Sequence, residues 1–369
     1  MNDNLKRYSA IILALRQVLG YQPGTHRDRN LMTLAALISG LVASGKAHLP
    51  AIAAKSKLGG KPQSRQKRYT RWLQNKAVNC ASCFFPFAKA MLQSLPAGPL
   101  TLIMDGSEVG RGCLALMVAV AYEGRALPLA WTVVRGKKGH FPQNAHVQLA
   151  QQVRNLIPEG REVVFLGDGE FDGVELLECI EKFGWKYVCR TAKSTLVYSE
   201  TDVSSGYTGI PIRDYGEDFG LKPGQGFSYR TLFFTGKKYG PVQVAAVWES
   251  GHEEPIYLVT NLPELEQAHT WYKKRFRIET FFSDQKSRGF HIRHSHLSDP
   301  ARLSRLLIAS CLAYYWVVCL GRQVRQKNDH RLIHRTDRCD LSLFRLGMQW
   351  LEHCINEGWR IDVFFEHQE

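Results

Sequence analysis

The chain has 369 residues, 44% of them hydrophobic and 22% charged, which is ordinary for a globular protein and long enough for two or three domains. Its formal net charge of +14 and pI near 9.4 are not ordinary, and they favour a polyanionic partner, nucleic acid before membrane. The opening MNDNLKRY lacks a signal-peptide pattern and the longest apolar run, 306–320, is short for a bilayer span, so a cytoplasmic protein without a membrane partner is expected.

Residues 1–97 read as all-helical. A helix is expected at 31–43, a short one at 48–55 closed by Gly59-Gly60, and a very basic one at 63–74, QSRQKRYTRWLQ. From Arg29 to Met104 there is no acidic residue, against eleven Lys and Arg. A solvated face explains most charge runs, but so long a stretch without carboxylates favours contact with DNA phosphates. Arg65, Lys67, Arg68 and Arg71 are the candidate contacts, with Tyr69 and Trp72 between them. Short helix, glycine break and basic helix are compatible with a helix-turn-helix variant.

From residue 98 the pattern changes. Strands are expected at 100–104, ending at Asp105, and at 113–122 and 127–134, joined by Glu123-Gly124. A helix at 143–157, a strand at 163–166 ending in Gly167-Asp168, a helix at 172–183 and a strand at 185–190 follow. The order indicates an α/β fold with a mixed sheet. Residues 193–255 shift to Gly, Ser, Tyr and Thr and read as a β-rich insertion, so the core falls into two parts, 98–192 and 256–325. A buried helix is expected at 299–324 and a basic loop at 322–338. An amphipathic helix at 341–357, capped by Asp340 and ended by Gly358, belongs to a helical tail, 326–369. Cys80-x2-Cys83 and the set His330, His334 and Cys339 are incomplete as zinc sites, and nine cysteines suggest free thiols.

Residues 271–286, WYKKRFRIETFFSDQK, contain no Gly or Pro and predict one helix. At about 100° per residue Tyr272, Arg275, Glu279 and Lys286 fall within roughly 60° of its circumference, beside an apolar stripe of Trp271, Ile278, Phe281 and Phe282. An Arg-x3-Glu pair alone is most simply a surface ion pair. Here, however, one edge carries a carboxylate flanked by a phenol and two cations.

Asp105 and Asp168 each stand where an apolar strand runs out, and open sheets bind ligands at such ends. An aspartate there is also a common turn former, and Asp172, at capping-box spacing from Glu175, is assigned to helix capping. Glu108 and Glu170 are rivals of the two aspartates. Asp105, Asp168 and Glu279 make an all-oxygen set suited to Mg2+ or Mn2+, whose charge would relieve the mutual repulsion of the acids.

The spacing Tyr-x2-Arg-x3-Glu-x6-Lys, with Asp105 and Gly-Asp168-Gly-Glu-Phe-Asp172 upstream, resembles the family-four insertion-sequence transposases, bacterial DNA transposases of the DDE class. The resemblance covers about residues 100–325. It implies a ribonuclease-H-like core in which Asp105, Asp168 and Glu279 bind two Mg2+ ions, free the transposon ends and join their 3′ hydroxyls to target DNA. It also implies a nucleoid-associated dimer bound to terminal inverted repeats. Tyr272, Arg275 and Lys286 would grip the terminal nucleotides and the DNA hairpin that some members form. Relatives often carry Trp after the signature Arg, whereas this chain has Phe276, a smaller stacking ring. Trp248 is either a strand core residue or a ring for a flipped base. Arg135, Lys137, Lys138 and His140 form a basic loop that suits DNA or solvent. Two other readings stay open: a ribonuclease-H-like nuclease or resolvase without strand transfer, and an inactive transposase-derived repressor.

Overall fold

The computed structural model describes residues 3–20, 23–56, 59–136, 141–214 and 220–368; Lys137, Lys138 and His140 lie outside them. The N-terminal part is helical: α1 (Asp3–Leu19), α2 (His26–Ser44), α3 (Leu49–Lys55), α4 (Pro62–Gln74), α5 (Cys80–Cys83) and α6 (Phe85–Ser94). Helix α2 starts ahead of the predicted residue 31 because Thr25 caps it, its side chain accepting from the Asp28 amide. Pro62 opens α4, where a missing amide proton costs nothing.

Among the described residues one ten-stranded sheet forms the centre, in the order β3-β2-β1-β4-β5-β10-β9-β8-β6-β7. Strands β1 (Leu100–Gly110), β2 (Cys113–Tyr122) and β3 (Arg125–Arg135) form an antiparallel meander. After α7 (Gln143–Arg154), β4 (Val163–Gly167) pairs parallel to β1; after α8 (Val174–Lys182), β5 (Lys186–Thr191) pairs parallel to β4. Strand β2 is buried along nearly its whole length, as expected of a strand covered on both faces.

Residues 193–255 extend this sheet rather than forming a separate one. They hold β6 (Leu196–Tyr198), α9 (Glu200–Ser205), β7 (Ile210–Pro211), β8 (Gly226–Phe234) and β9 (Tyr239–Val247). Strand β10 (Ile256–Thr260) joins them to the core, antiparallel to β5 on one side and to β9 on the other.

The predicted single helix at 271–286 is three helical pieces: α10 (Leu265–Tyr272), a 3-10 turn (Lys273–Phe276) and α11 (Arg277–Lys286). Helix α12 (Pro300–Gln326) is long and apolar enough to cross a membrane, but it is sheathed by α2, α4, β3 and α13 (Leu343–Asn356). Glycines set the α12–α13 crossing. A methyl group at Gly321 would meet the Leu343 carbonyl oxygen at 1.9 Å, and one at Gly347 would meet that of Val317 at 1.9 Å. Arg305 of α12 donates to the carbonyls of Leu73 and Val78, both at 2.9 Å, so the N-terminal helices share a core with the C-terminal half.

Two tail expectations are corrected. The stretch predicted as a loop from 322 continues α12 to Gln326 and then forms a 3-10 turn, Asp329–Leu332. The cap of α13 is Ser342, which accepts from the Arg345 amide at 3.2 Å. Asp340 instead pairs with His334 at 2.5 Å, a stronger draw for a carboxylate beside several cations.

Candidate active site

Sheet register brings the two aspartates together. Ile103 of β1 lies opposite Leu166 of the parallel β4, so two residues further on Asp105 stands beside Asp168, on strands about 4.8 Å apart. Asp105 is not at a strand end as expected. Strand β1 runs on to Gly110 because β2 pairs with it throughout, and the parallel partner is what stops. The same arithmetic from Gly167 opposite Cys189 puts Arg190 next to Asp168 on its other side. Glu279 comes from α11, and all three acids line one cleft of about 1190 Å³.

The carboxylates are held by local donors. The Gly106 amide donates to Asp105 Oδ1 at 2.7 Å and the Glu170 amide to Asp168 Oδ1 at 2.9 Å. Burial pushes the Asp105 carboxyl up to about 6; Arg275 opposes the shift, while Asp168 and Glu279 add to it. Arg275 donates to Glu279 Oε1 at 2.6 Å and reaches Asp105 Oδ2 at 3.5 Å, so a guanidinium stands between two of the acids. Burial works against its charge, but Tyr272, Asp105, Glu279 and Asp168 outweigh it and raise its pKa.

The 3-10 turn explains this placement. In such a turn residues three apart eclipse each other, so Tyr272 and Arg275 swing inward together. Tyr272 is 5% and Arg275 8% exposed, while Glu279 remains open to the cleft. The Tyr272 ring packs into the core, and Arg275 is paired with Glu279 and Asp105. Phe276 is thrown outward, 57% exposed, with the Arg275 guanidinium 4.8 Å from its ring centre.

Lys286 lines the cleft and donates to Ser107 Oγ. Arg190, Lys193 and Arg293 line it as well, Lys193 paired with Glu254 at 2.9 Å and Arg293 with Glu108 at 2.7 Å. Sequence reasoning missed these three cations and Ser107; the signal for Arg190 was its place at the end of a strand neighbouring the Asp168 strand. Of the two rivals, Glu108 is therefore a partner of Arg293. Glu170 accepts from the Phe141 amide at 2.5 Å and lies 3.4 Å from the buried His146. Asp172 does not cap α8, whose N-cap is Gly173; its side chain bonds Thr191, and burial raises its pKa.

The expected contacts on α4 divide. Lys67, Arg68 and Arg71 are exposed, whereas Arg65 donates to the carbonyls of Ala53 at 2.8 Å and Gly60 at 3.2 Å, clamping α3 to α4. Tyr69 and Trp72, expected between them at the DNA, are core residues: Tyr69 bonds Ser56 Oγ and the Trp72 indole donates to the Asn30 carbonyl at 3.1 Å. Trp248 lies just beyond β9, and its indole donates to the His252 carbonyl at 2.8 Å.

A carboxylate-lined cleft rimmed by cations, on a mixed α/β sheet, is an arrangement suited to anionic substrates bound together with cations. Residues 98–316 match the family model described as the transposase DDE domain, and the chain belongs to that family. Solved structures are similar at a distance, among them two DNA complexes. One is the synaptic complex of the piggyBac transposase with hairpin DNA, with a TM-score of 0.48 and 11% identity over 96% of this chain and 78% of that one. The other is endonuclease V of Ciona intestinalis bound to a 24mer DNA containing inosine, with a TM-score of 0.30 and 16% identity over 60% and 97%. No curated protein matches the chain.

Proposed function

We propose that this chain is a cut-and-paste DNA transposase with a ribonuclease-H-like core. In this reading it binds terminal inverted repeats as a dimer, cleaves the transposon ends and joins their 3′ hydroxyls to target DNA. The observation that carries the reading is the register that sets Asp105 beside Asp168 in a cleft shared with Glu279. The strand order β3-β2-β1-β4-β5, with only the first three antiparallel, supports the core assignment.

The donor set fits Mg2+ or Mn2+ by chemistry: three carboxylates, all oxygen donors, with the Asp105 carboxyl raised by burial and then by the other two. Among the described residues no three such groups close around a single point as they stand, and Arg275 bridges Asp105 and Glu279. Asp105, Asp168 and Glu279 would hold two ions, which when bound activate an attacking oxygen and stabilise a leaving one. Arg275 keeps Asp105 and Glu279 from repelling each other and aims Glu279. Lys286, fixed on Ser107, and Arg190 beside Asp168 offer phosphate contacts on either side of the acids. Phe276, rather than Tyr272, is the ring free to stack on a base of a hairpin end.

Incubating the full chain with end-labelled duplex carrying the element's terminus, Mg2+ and a plasmid target tests this directly. Nicked ends followed by joined product are expected, with a hairpin intermediate that Phe276→Ala slows more than the first nick. Cleavage without any joining in a time course would make the protein a nuclease. Binding without cleavage would make it a repressor.

A further inference from the structure

The segment joining α11 to α12 is a wedge with one apolar and one cationic side. Phe290, Ile292, Ser295 and Leu297 are buried, whereas Arg293, His294 and His296 are exposed and His291 is half-buried. The backbone is bent to achieve this: His291 has φ 51° and His296 φ 59°, both in the left-handed region that most side chains avoid. Holding two non-glycine residues there takes the buried anchors and the hydrogen bond from the Ala47 amide to the Phe290 carbonyl, at 2.7 Å.

That bond fastens the wedge to the connection between α2 and α3, where Lys46 and His48 stand. The His48 and His296 rings meet edge to face with centroids 5.0 Å apart, and His291 and His294 stack at 5.7 Å. Arg293, at the other end, lines the catalytic cleft. A continuous band of Arg293, His294, His296, His48 and Lys46 thus leads from the cleft to the N-terminal helices.

The groups around the band are mostly cations. Lys46 stands on the α2–α3 side, Arg111 at the end of β1, and Arg288 at the start of the wedge; the carboxylate of Glu108 is already paired with Arg293. Burial, then His296 and Lys46, lower the pKa of His48. Two imidazoles in contact repel once both are protonated, so an anion lying on the pair is what allows both to carry charge.

We infer that this band is a docking surface for the phosphate backbone of duplex DNA running out of the cleft, and that DNA bound there takes up protons on His48 and His296. The inference rests on the transposase reading and adds to it a path for the DNA and a pH dependence. A shift of one pKa unit shared by the two rings is a tenfold change in affinity, and lysine and arginine contacts contribute no such dependence between pH 6 and 8.

The test uses the full chain without divalent metal and a fluorescent duplex of about 30 base pairs, with Kd measured near pH 6 and near pH 8. Wild type is expected to bind about tenfold more tightly at the lower pH. His48→Gln combined with His296→Asn (asparagine tolerates the left-handed backbone) should lower that ratio several-fold. His294→Ala with Arg293→Gln, both exposed, serves as a second variant, weakening binding at both pH values and reducing the salt dependence. Binding by every variant with wild-type affinity and wild-type pH ratio would overturn the docking surface while leaving the transposase reading intact. Failure of wild type to bind duplex at all would overturn both.

Discussion

Two aspartates in this molecule, Asp105 half-buried and Asp284 buried, each face an arginine but sit in opposite surroundings. Burial pushes both Asp105 and Asp284 from 3.8 up to about 6. Asp284 lies within the core, where Arg125 donates to it at 2.9 Å and the Tyr314 hydroxyl at 3.3 Å. Its neighbours thus all favour the charged form, and it is a closed ion pair. Asp105 opens on the cleft, and beyond Arg275 its charged neighbours are Asp168 and Glu279, which oppose its charge. A perturbed carboxyl alone therefore does not mark a functional site. Like charges gathered at an opening are the stronger pointer, because such a cluster draws a cation to share.

Substitutions should separate the two aspartates cleanly. Asp105→Asn, Asp168→Asn or Glu279→Gln should lower DNA cleavage by about a thousandfold or more, roughly 4 kcal/mol of transition-state stabilisation, with the urea midpoint close to wild type. Gel assays and denaturation curves on the same preparations would check both halves. Asp284→Ala should do the reverse. Leaving Arg125 unpaired in the core costs about 3–5 kcal/mol of folding free energy, while the folded fraction still cleaves. Comparable loss of cleavage per folded molecule in Asp284→Ala would erase the distinction.

Smaller effects sharpen it. Mg2+ at about 100 times its Kd should stabilise wild type and Asp284→Asn by about 2.7 kcal/mol, read as a rise in Tm, and leave Asp105→Asn unmoved. The pH dependence of stability gives the smallest signal. Asp284 has a folded pKa above its ordinary 3.8, so its contribution is fully present below about pH 4 and is lost as pH rises through about 6. Asp284→Asn should therefore flatten the fall in stability between those values. An unchanged pH profile would show that the Asp284 carboxyl is not raised.

Much of this was readable beforehand for identifiable reasons. Glu279 stood out because its partners recur at helical spacing, and Asp168 because an apolar strand ends there. The extent of β1 was not, since Asp-Gly-Ser-Glu resembles a turn until β2 pairs along it. Asp172 has capping-box spacing, yet its side chain goes to Thr191, a partner distant in sequence. The inward turn of Tyr272 and Arg275 depends on a 3-10 winding that local sequence does not distinguish from an α-helix. Tyr69 and Trp72 are a different lesson: with Leu73 they keep helical spacing, which already described a core face.

The claim that Asp168 is a metal ligand is tested most directly by changing its chemistry rather than deleting it. Asp168→Cys replaces a hard oxygen with a soft sulfur, which binds Mg2+ poorly and accepts Mn2+ more readily. Cleavage of end-labelled terminal duplex should be lost in Mg2+ and return in part in Mn2+, while Asp284→Cys shows no such preference for metal. Equal cleavage by Asp168→Cys in the two metals would contradict the assignment.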